Sequence, residues 1–245
     1  MDPQTLLQEG RRKAFEPPSD PNIKIWRYMD FARLVGMLED QGLFFRRADL
    51  FEDRFEGTMS LPLRAFLQEG NQDPRLEKYG EMLRRVRGAT FINCWHMNES
   101  ESAAMWQLYS AAAEQSICLQ STYARLRDAL PDDIKIGTVK YISYDRDQIP
   151  FDDLWWPLLH KRKSFEYERE LRAVWSDMDA IHSDDGADKR QGVWKKVDLD
   201  RLIQGIYVSA EAERWFLKLV RKVLQRYGTT VEVRQSDLAD EPLFD

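Results

Sequence analysis

The chain has 245 residues, of which 43% are hydrophobic and 12% aromatic, and its formal net charge is −6. That apolar share is too high for a disordered chain, and no apolar run is long enough for a bilayer span, so we predict a folded cytoplasmic protein with no membrane partner. The negative charge argues against coating nucleic acid through bulk charge. The two cysteines and three histidines show no ligand spacing for a transition metal, and no metal site is predicted.

The predicted elements begin after a proline-rich boundary. Residues 1–22, which end in Pro17-Pro18-Ser19-Asp20-Pro21, are expected to form an N-terminal extension, and 23–245 a single domain. A strand over Lys24–Tyr28 comes first. A helix over Asp30–Gln41 follows, with Asp30 as its N-cap and the glycine at position 42 closing it.

The later elements alternate between strands and helices without βαβ regularity and without a glycine-rich phosphate turn. Strands are predicted over Leu43–Arg46, Thr90–Trp95, Ser116–Gln120, Lys135–Ser143, Tyr167–Trp175, Val193–Val197, Gln204–Val208 and Thr229–Arg234. Helices are predicted over Leu61–Glu69, Pro74–Arg87, Asn98–Ala113, Ser121–Leu130 and Glu211–Tyr227. We therefore predict an α+β fold, a single domain with a mixed, largely antiparallel sheet and covering helices.

The last helix is expected to bury one apolar stripe and to end at the glycine that follows it. The stripe consists of Trp215, Phe216, Leu219, Val220 and Val223. Two dense basic clusters, at 160–163 and at 84–87, are interpreted as solvated helix faces.

The segment Tyr167–Trp175 contains the candidate catalytic residues. In a strand, Glu168, Glu170 and Arg172 share one face, because side chains alternate. Two neighbouring carboxylates raise the pKa of one of them, while an arginine beside them holds the other ionised, as a general base or a cation-stabilising group requires. Glu168 and Glu170 are thus candidate catalytic residues and Arg172 a candidate ligand-binding residue. The alternative is an exposed charge ladder on a half-solvated strand.

Two arginines are candidate ligand-binding residues near the start of the chain. Arg27 lies among strand-forming aromatic residues, where a guanidinium needs an anion: a carboxylate such as Glu56, or a ligand phosphate. Arg46 follows two phenylalanines in the next strand. Asp53 and Glu56 are expected to support a site from the loop that follows, and Gly57 can adopt a positive φ there.

Three aromatic residues are expected near one strand-to-helix junction. Trp95 ends a strand, and Trp106 and Tyr109 are three residues apart on the following helix. We treat them as candidate ligand-binding residues beside a helix N-terminus that can attract an anion. The alternative is that they are core residues.

Five short motifs, in their order, resemble the bacterial domain-of-unknown-function 2971 family. They are Ile25-Trp26-Arg27-Tyr28, Leu43-Phe44-Phe45-Arg46, Phe51-Glu52-Asp53-Arg54-Phe55-Glu56-Gly57, Met105-Trp106-Gln107-Leu108-Tyr109 and Tyr167-Glu168-Arg169-Glu170-Leu171-Arg172. This chain has Glu52-Asp53-Arg54 where the family usually has Asn-Asp-Pro, and Cys94-Trp95-His96 where it has a Cys-Phe-Ser-like strand end. The resemblance implies an organisation and no settled activity.

The chain also resembles, more distantly, the ADP-ribosyltransferases in the order of its residue types. Arg27, the helix ending at Gly42, the strand at 93–96 and the sequence Glu168-Arg169-Glu170 occupy the corresponding places. This resemblance implies NAD or another nucleotide as ligand, in a toxin or phage-defence setting. Arg27 would bind a phosphate, Trp95 or Trp106 would stack on a ring, Glu170 would stabilise charge on the ribose and Glu168 would orient the acceptor.

Two other functions remain open on the sequence alone. One is a metal-dependent effector that acts on nucleic acid, with Glu56, Glu168 and Glu170 around a divalent ion. The other is a non-enzymatic ligand-binding or interaction module in which Glu170 and Arg172 complete buried ion pairs. The oligomeric state is open as well.

Overall fold

The computed structural model describes residues 13–68, 74–109, 115–183 and 190–240. Their strands are β1 (Lys24–Asp30), β2 (Gly42–Arg47), β3 (Thr90–Met97), β4 (Ser116–Thr122), β5 (Lys135–Thr138), β6 (Lys140–Ile142), β7 (His160–Arg162), β8 (Glu170–Ser176), β9 (Gly192–Lys196), β10 (Gly205–Val208) and β11 (Val233–Gln235). Their helices are α1 (Phe31–Glu39), α2 (Leu61–Gln68), α3 (Pro74–Gly88), α4 (Ala103–Tyr109), α5 (Tyr123–Ala129), α6 (Met178–His182), α7 (Leu199–Leu202) and α8 (Arg214–Arg226). Short 3-10 helices lie at Ala48–Leu50, Trp156–Leu159, Lys163–Glu168 and Asp237–Ala239.

The predicted α+β class, with a mixed and largely antiparallel sheet and covering helices, is confirmed. The predicted ends of two helices, at Glu69 and Ala113, lie outside the described residues. The limits proposed for an N-terminal extension and a domain, 1–22 and 23–245, stay a prediction. Every helix in the described part of the chain falls short, in length or in apolar character, of what a bilayer crossing requires.

The described residues divide into two compact units, each assembled from three stretches of chain. The first unit takes its residues from 13–17, 45–94 and 132–193, and the second unit from 18–44, 95–131 and 194–240. Three of the five divisions fall within β2, β3 and β9, and the other two fall outside the strands, at 17/18 and 131/132. Each unit therefore depends on contacts between stretches that are far apart in the sequence.

The second unit is built on β4. Strand β1 pairs antiparallel with β4, where Tyr28 lies opposite Cys118, and β10 pairs antiparallel with its other edge, where Tyr207 lies opposite the same cysteine. Strand β11 continues the sheet parallel to β10, and Trp26 of β1 lies opposite His96 at the end of β3. The pairing brings aromatic side chains from separate stretches into one core cluster, which also contains Trp106.

The first unit positions its charged residues by three strand pairings. Strand β8 pairs antiparallel with β5, where Arg172 lies opposite Gly137. Strand β7 pairs parallel with β6, where Lys161 lies opposite Tyr141. Arg46 at the end of β2 lies opposite a residue of β3. A large core of aliphatic and aromatic side chains packs in this unit, so the backbone that carries β7 and β8 lies in an apolar environment.

Helix α1 begins as predicted and ends differently. The Asp30 carboxylate accepts a hydrogen bond from the Arg33 backbone amide at 2.8 Å, which confirms the N-cap. The left-handed residue after the helix is Gln41, with φ 47°, and Gly42 already belongs to β2. A Cβ at Gly42 would lie 2.5 Å from the carbonyl oxygen of Lys195, so the glycine is needed for close packing against another strand.

The apolar stripe predicted for the last helix is partly wrong. Phe216, Val220 and Leu224 are the buried residues of α8, whereas Trp215 and Leu219 are 50% and 36% exposed. Residues four apart stay on one side of a helix, and a residue one position earlier lies about 100° around it. The buried row is therefore narrower than the apolar character of the sequence suggested.

Candidate functional site

A buried cluster of charged side chains lies in the first unit, and we call it the carboxylate cluster. Its members are Glu56, Lys161, Glu168, Glu170 and Arg172. Each of these side chains is between 1% and 8% exposed. Three acids and two bases are thus held together in a nearly dry space, where charges interact more strongly than at the surface.

Lys161 contacts all three acids of the cluster. Its Nζ lies 3.1 Å from Glu56 Oε1, 2.5 Å from Glu168 Oε2 and 2.8 Å from Glu170 Oε1. An ammonium group has three hydrogens, so one is available for each carboxylate. Burial alone would lower the Lys161 pKa, but the negative charges of Glu170 and Glu56 raise it instead.

Arg172 is the second base of the cluster. Its Nε donates to Glu170 Oε2 at 2.7 Å, its Nη2 donates to Glu56 Oε2 at 2.6 Å, and its Nη1 donates to the Leu158 carbonyl oxygen at 2.7 Å. Burial opposes its charge, yet Glu170 and Glu56 raise its pKa well above the ordinary value. The predicted pairing of Arg172 with Glu170 is confirmed. Glu56, which the sequence offered as a partner for Arg27, is bonded by Arg172 and Lys161.

The backbone that carries Glu168 and Glu170 differs from the predicted strand. Residues Lys163–Glu168 form a 3-10 helix, Arg169 has a left-handed φ of 42°, and β8 begins only at Glu170. The alternative of an exposed charge ladder is wrong, because both glutamates are buried. The left-handed residue turns the chain between them, so the two carboxylates meet without sharing a strand face.

The interpretation of residues 160–163 as a solvated helix face is also wrong. His160 and Lys161 are buried in β7, and the 3-10 helix starts only after Arg162. Lysine is usually exposed to solvent, but here three carboxylates in contact with the Lys161 ammonium compensate its charge. Sequence reasoning missed Lys161 for this reason. The signal that could have found it is the apolar run over Trp155–Leu159, which leads directly into the strand.

The charges of the cluster explain how its two central acids titrate. With all five groups ionised the cluster would carry one excess negative charge, so one carboxyl is favoured to keep its proton. Burial and the hydrogen bond to Glu170 raise the Glu168 pKa from 4.5 to about 8. Burial opposes the ionisation of Glu170 too, but Arg172, the hydrogen bond from Glu168 and Lys161 hold its pKa well below 4.5. The predicted split between the two pKa values is confirmed.

Neutral groups flank the cluster. The Tyr141 hydroxyl accepts a hydrogen bond from the Glu170 backbone amide at 2.8 Å. Burial raises the pKa of this phenol and that of the Cys94 thiol, and the charge of Glu170 raises both further. Cys94 is therefore a neutral thiol at neutral pH, which fits a packing role better than a nucleophilic one.

An ion pair between Arg162 and Asp53 fixes the loop that precedes Glu56 of the carboxylate cluster. Arg162 contacts both carboxylate oxygens of Asp53, at 3.0 and 3.1 Å, and its guanidinium lies over the rings of Phe55 and Phe165. Asp53 also accepts from the Phe55 backbone amide. Gly57 has φ 73°, as the sequence predicted. Asp53 is thus 7% exposed and braces the loop that supplies Glu56.

The predicted aromatic residues lie in the second unit. Trp95 and Trp106 are buried, and the Trp106 indole packs edge-on against Tyr28 with ring centroids 5.2 Å apart. The Trp106 Nε1 donates to Glu101 Oε2 at 2.7 Å. These contacts match the alternative of core residues. Tyr109, predicted to share the helix face of Trp106, is 42% exposed.

The candidate residues fall into two groups, one in each unit. The first unit brings together Asp53, Glu56, Glu168, Glu170 and Arg172, and it also carries Arg46, which is exposed on β2. The second unit carries Arg27, Trp95, Trp106 and Tyr109. Arg27 is half-buried on β1. Chemistry that needs a proton donor or acceptor is supported by the first group, because ionisable side chains of both signs meet there in a buried space.

A metal ion does not fit the carboxylate cluster. The oxygens of Glu56, Glu168 and Glu170 that would coordinate it accept hydrogen bonds from Lys161 and Arg172. A cation would have to displace the Lys161 ammonium, which has the same sign. Across the described ranges, no group of three or more His, Cys, Asp and Glu side chains is arranged to hold a metal ion.

Comparisons with known proteins give a distant structural likeness. No family model and no curated protein matches the chain, so the resemblance to the domain-of-unknown-function 2971 family stays a prediction. Among solved structures the chain is similar to Thermus sp. 2.9 DarT in complex with NAD+, with a TM-score of 0.44 and 12% identity over 92% of this chain and 100% of that chain. It is similar to the same protein in complex with ADP-ribosylated ssDNA, with a TM-score of 0.42 and 14% identity over 93% of this chain and 100% of that chain. A likeness at this level establishes neither a shared fold nor a shared activity.

Proposed function

We propose that this chain is an NAD-using transferase that resembles the ADP-ribosyltransferases, with Glu168 and Glu170 as its catalytic carboxylates. The observation that carries the proposal is a buried pair of acids whose pKa values are pushed in opposite directions, that of Glu168 to about 8 and that of Glu170 well below 4.5. Paired acids with divided roles are a common basis of acid–base catalysis near neutral pH. NAD, and a toxin or phage-defence setting, are proposed from the order of residue types in the sequence.

The two acids would serve different steps of the transfer. Glu170 stays ionised, so its negative charge would stabilise the positive charge that develops on the ribose as the nicotinamide leaves with the bonding electrons. Glu168 titrates near pH 8, so its ionised form would accept the proton of the attacking acceptor group. Each side chain keeps an exposed fraction of 7%. The rate of transfer should therefore rise with pH up to about pH 8.

Release of nicotinamide from NAD by the purified protein tests the proposal. We expect Glu170→Gln and Glu168→Gln to lower the rate by about 10²- to 10⁴-fold, the usual contribution of a general acid or base. Glu166→Gln is the matched control, because Glu166 is exposed and precedes Glu168 by two residues. Circular dichroism would establish that all three variants are folded.

Two results would remove the proposal. One is a wild-type protein that neither binds NAD in calorimetry nor releases nicotinamide. The other is a folded Glu170→Gln variant that is as active as Glu166→Gln. An active Glu168→Gln variant with an unchanged pH profile would remove only the role assigned to Glu168.

One observation favours a second function, a non-enzymatic ligand-binding or interaction module. Arg172 is buried and donates to Glu170, Glu56 and the Leu158 carbonyl oxygen, so the protein itself supplies partners for all three nitrogens of the guanidinium. A cluster of this kind can be purely structural. In that case Glu170→Gln would lower the melting temperature and no substrate would be turned over by the wild type.

A further inference from the structure

Helix α8 in the second unit carries a basic face, which consists of Arg214, Lys218, Arg221, Lys222 and Arg226. All five side chains are exposed, and the opposite side of the helix is buried through Phe216, Val220 and Leu224. The helix contains no aspartate or glutamate, although the whole chain has a net charge of −6. The helix therefore has five positive charges and no negative ones, within an acidic protein.

This arrangement is unfavourable for the helix itself. Arg214, Lys218, Lys222 and Arg226 follow one another at intervals of four, and like charges four apart in a helix cost about 0.2–0.5 kcal/mol per pair. Arg214 also lies at the positive end of the helix dipole. Within the described part of the chain none of these four side chains forms an ion pair. Arg221 donates through its Nη2 to the Val233 carbonyl oxygen at 2.8 Å, and Arg226 lies in the last turn, where the helix dipole favours a cation. The described contacts of the second unit do not account in this way for Arg214, Lys218 and Lys222.

The spacing of the charges fits a repeating anion. Four residues of an α-helix rise about 6 Å, so the row from Arg214 to Arg226 presents four cations over about 18 Å. A single anionic ligand would use one or two of them. A polymer with one negative charge per repeat can use the whole row.

An aromatic side chain lies beside the basic face. The Trp215 indole is 50% exposed, and it packs edge-on against the buried Phe216 ring with centroids 5.8 Å apart. The contact with Phe216 thus holds the indole in place, while half of the Trp215 surface stays accessible to a ligand. Exposed aromatic rings among cations are how proteins stack the unpaired bases of single-stranded nucleic acid.

We propose that the basic face of α8 binds single-stranded nucleic acid, with successive phosphates along the row from Arg214 to Arg226 and a base against Trp215. A membrane surface fits less well, because the apolar face that a surface helix inserts into lipid is here buried in the protein core. An acidic protein would supply carboxylates without a fixed repeat and would leave Trp215 unexplained. The proposal does not depend on NAD chemistry.

Fluorescence anisotropy tests this surface with a labelled single-stranded DNA of roughly 20 nucleotides, its duplex, the matching RNA, and vesicles of phosphatidylserine. We expect binding to the single strands that weakens as salt rises. Lys218→Gln/Lys222→Gln should reduce the slope of log K against log salt by about 1.4, which corresponds to two phosphate contacts. Trp215→Ala should weaken binding by about 5- to 150-fold.

The matched control is Arg127→Gln/Arg201→Gln, which makes the same change in net charge at two exposed positions of the second unit outside α8. If both double variants lose affinity equally, the surface is not specific and the proposal is wrong. It is also overturned if wild type binds none of the nucleic acids or binds only the vesicles. Equal affinity of wild type and Trp215→Ala would contradict the proposed contact between Trp215 and a base.

Discussion

Lys161 determines the charge balance of the carboxylate cluster. Its ammonium lies within 3.1 Å of an oxygen of each of three acids, and its side chain is 8% exposed. Without it, three carboxylates would face Arg172 alone. In the sequence, Lys161 stands in a run of basic residues, and such runs are usually exposed to solvent. Its contacts with acids become evident from the structure.

We predict that Lys161→Met destabilises the protein by about 3–5 kcal/mol, because removing one partner of a buried ion network leaves charges without compensation. Urea denaturation at neutral pH measures the change. Lys163→Met is the control, since Lys163 is exposed two residues further along, and its effect should stay within about 0.5 kcal/mol.

A double variant adds a sharper condition to the same experiment. Lys161→Met/Glu170→Gln removes one ionised acid together with the base, so its loss of stability should be smaller than the sum of the two single losses. Simple additivity of the two losses would contradict the assignment of Lys161 as the group that balances Glu170.

For single helices and strands, the sequence predicted the features that depend on residues close together in the chain. The N-cap of α1 is correct because the Asp30 carboxylate bonds an amide three residues away. The predicted start of β8 is wrong, because Arg169 adopts a left-handed conformation that cannot be predicted from an arginine in the sequence. The opposite pKa shifts of Glu168 and Glu170 were still predictable, since the two acids stay close whether a strand or a turn joins them.

The loop before the cluster gives a prediction on glycine. Gly57 has φ 73°, and a Cβ there would lie 2.9 Å from Leu158 Cδ2 and 3.0 Å from Arg87 Cδ. Gly57→Ala therefore combines backbone strain of about 1–2 kcal/mol with overpacking of about 1–3 kcal/mol. Chemical denaturation should show the sum of the two effects.

Gly228→Ala separates these two causes. Gly228 has φ 76°, close to that of Gly57, but a Cβ there would meet nothing within 4 Å. We expect this variant to lose only the strain, about 1–2 kcal/mol. If both variants lose the same free energy, then the packing around Gly57 adapts and the contacts with Leu158 and Arg87 do not hold the loop.

At the scale of the whole molecule, the sequence predicted the fold class and not the division into units. The first and second units each draw on three stretches, and three of the five divisions fall inside strands, whereas the other two fall at Pro17-Pro18 and at Pro131. Local patterns carry no information on which distant stretches pack together. The nearby residues Glu168, Glu170 and Arg172 were therefore grouped from the sequence, whereas the structure was needed to add Glu56 and Lys161 to them. The structure was also needed to assign Arg27 and Trp106 to the second unit.

The stability of the whole protein should depend on pH through the two central acids. The Glu168 pKa is 4.5 in a solvated chain and about 8 in the fold, so between these values the folded state keeps a proton that the unfolded state loses. The free energy of unfolding should then fall as pH rises from about 5 to about 8. Glu170 acts in the opposite sense: its pKa is lowered, so its contribution is present above 4.5 and is lost as pH falls below that value.

Urea denaturation of wild type and Glu168→Gln across about pH 4 to 8 separates the two acids. Glu168→Gln cannot titrate, so it should flatten the decline between about pH 5 and 8 while leaving the loss below about pH 4.5 unchanged, because there the unfolded chain still binds a proton at Glu170 that the folded state does not. Glu166→Gln, at an exposed position, should follow the wild-type profile. An identical decline in wild type and Glu168→Gln would mean that Glu168 is ionised at neutral pH in the fold, and the excess charge of the cluster would then have to be compensated by another group.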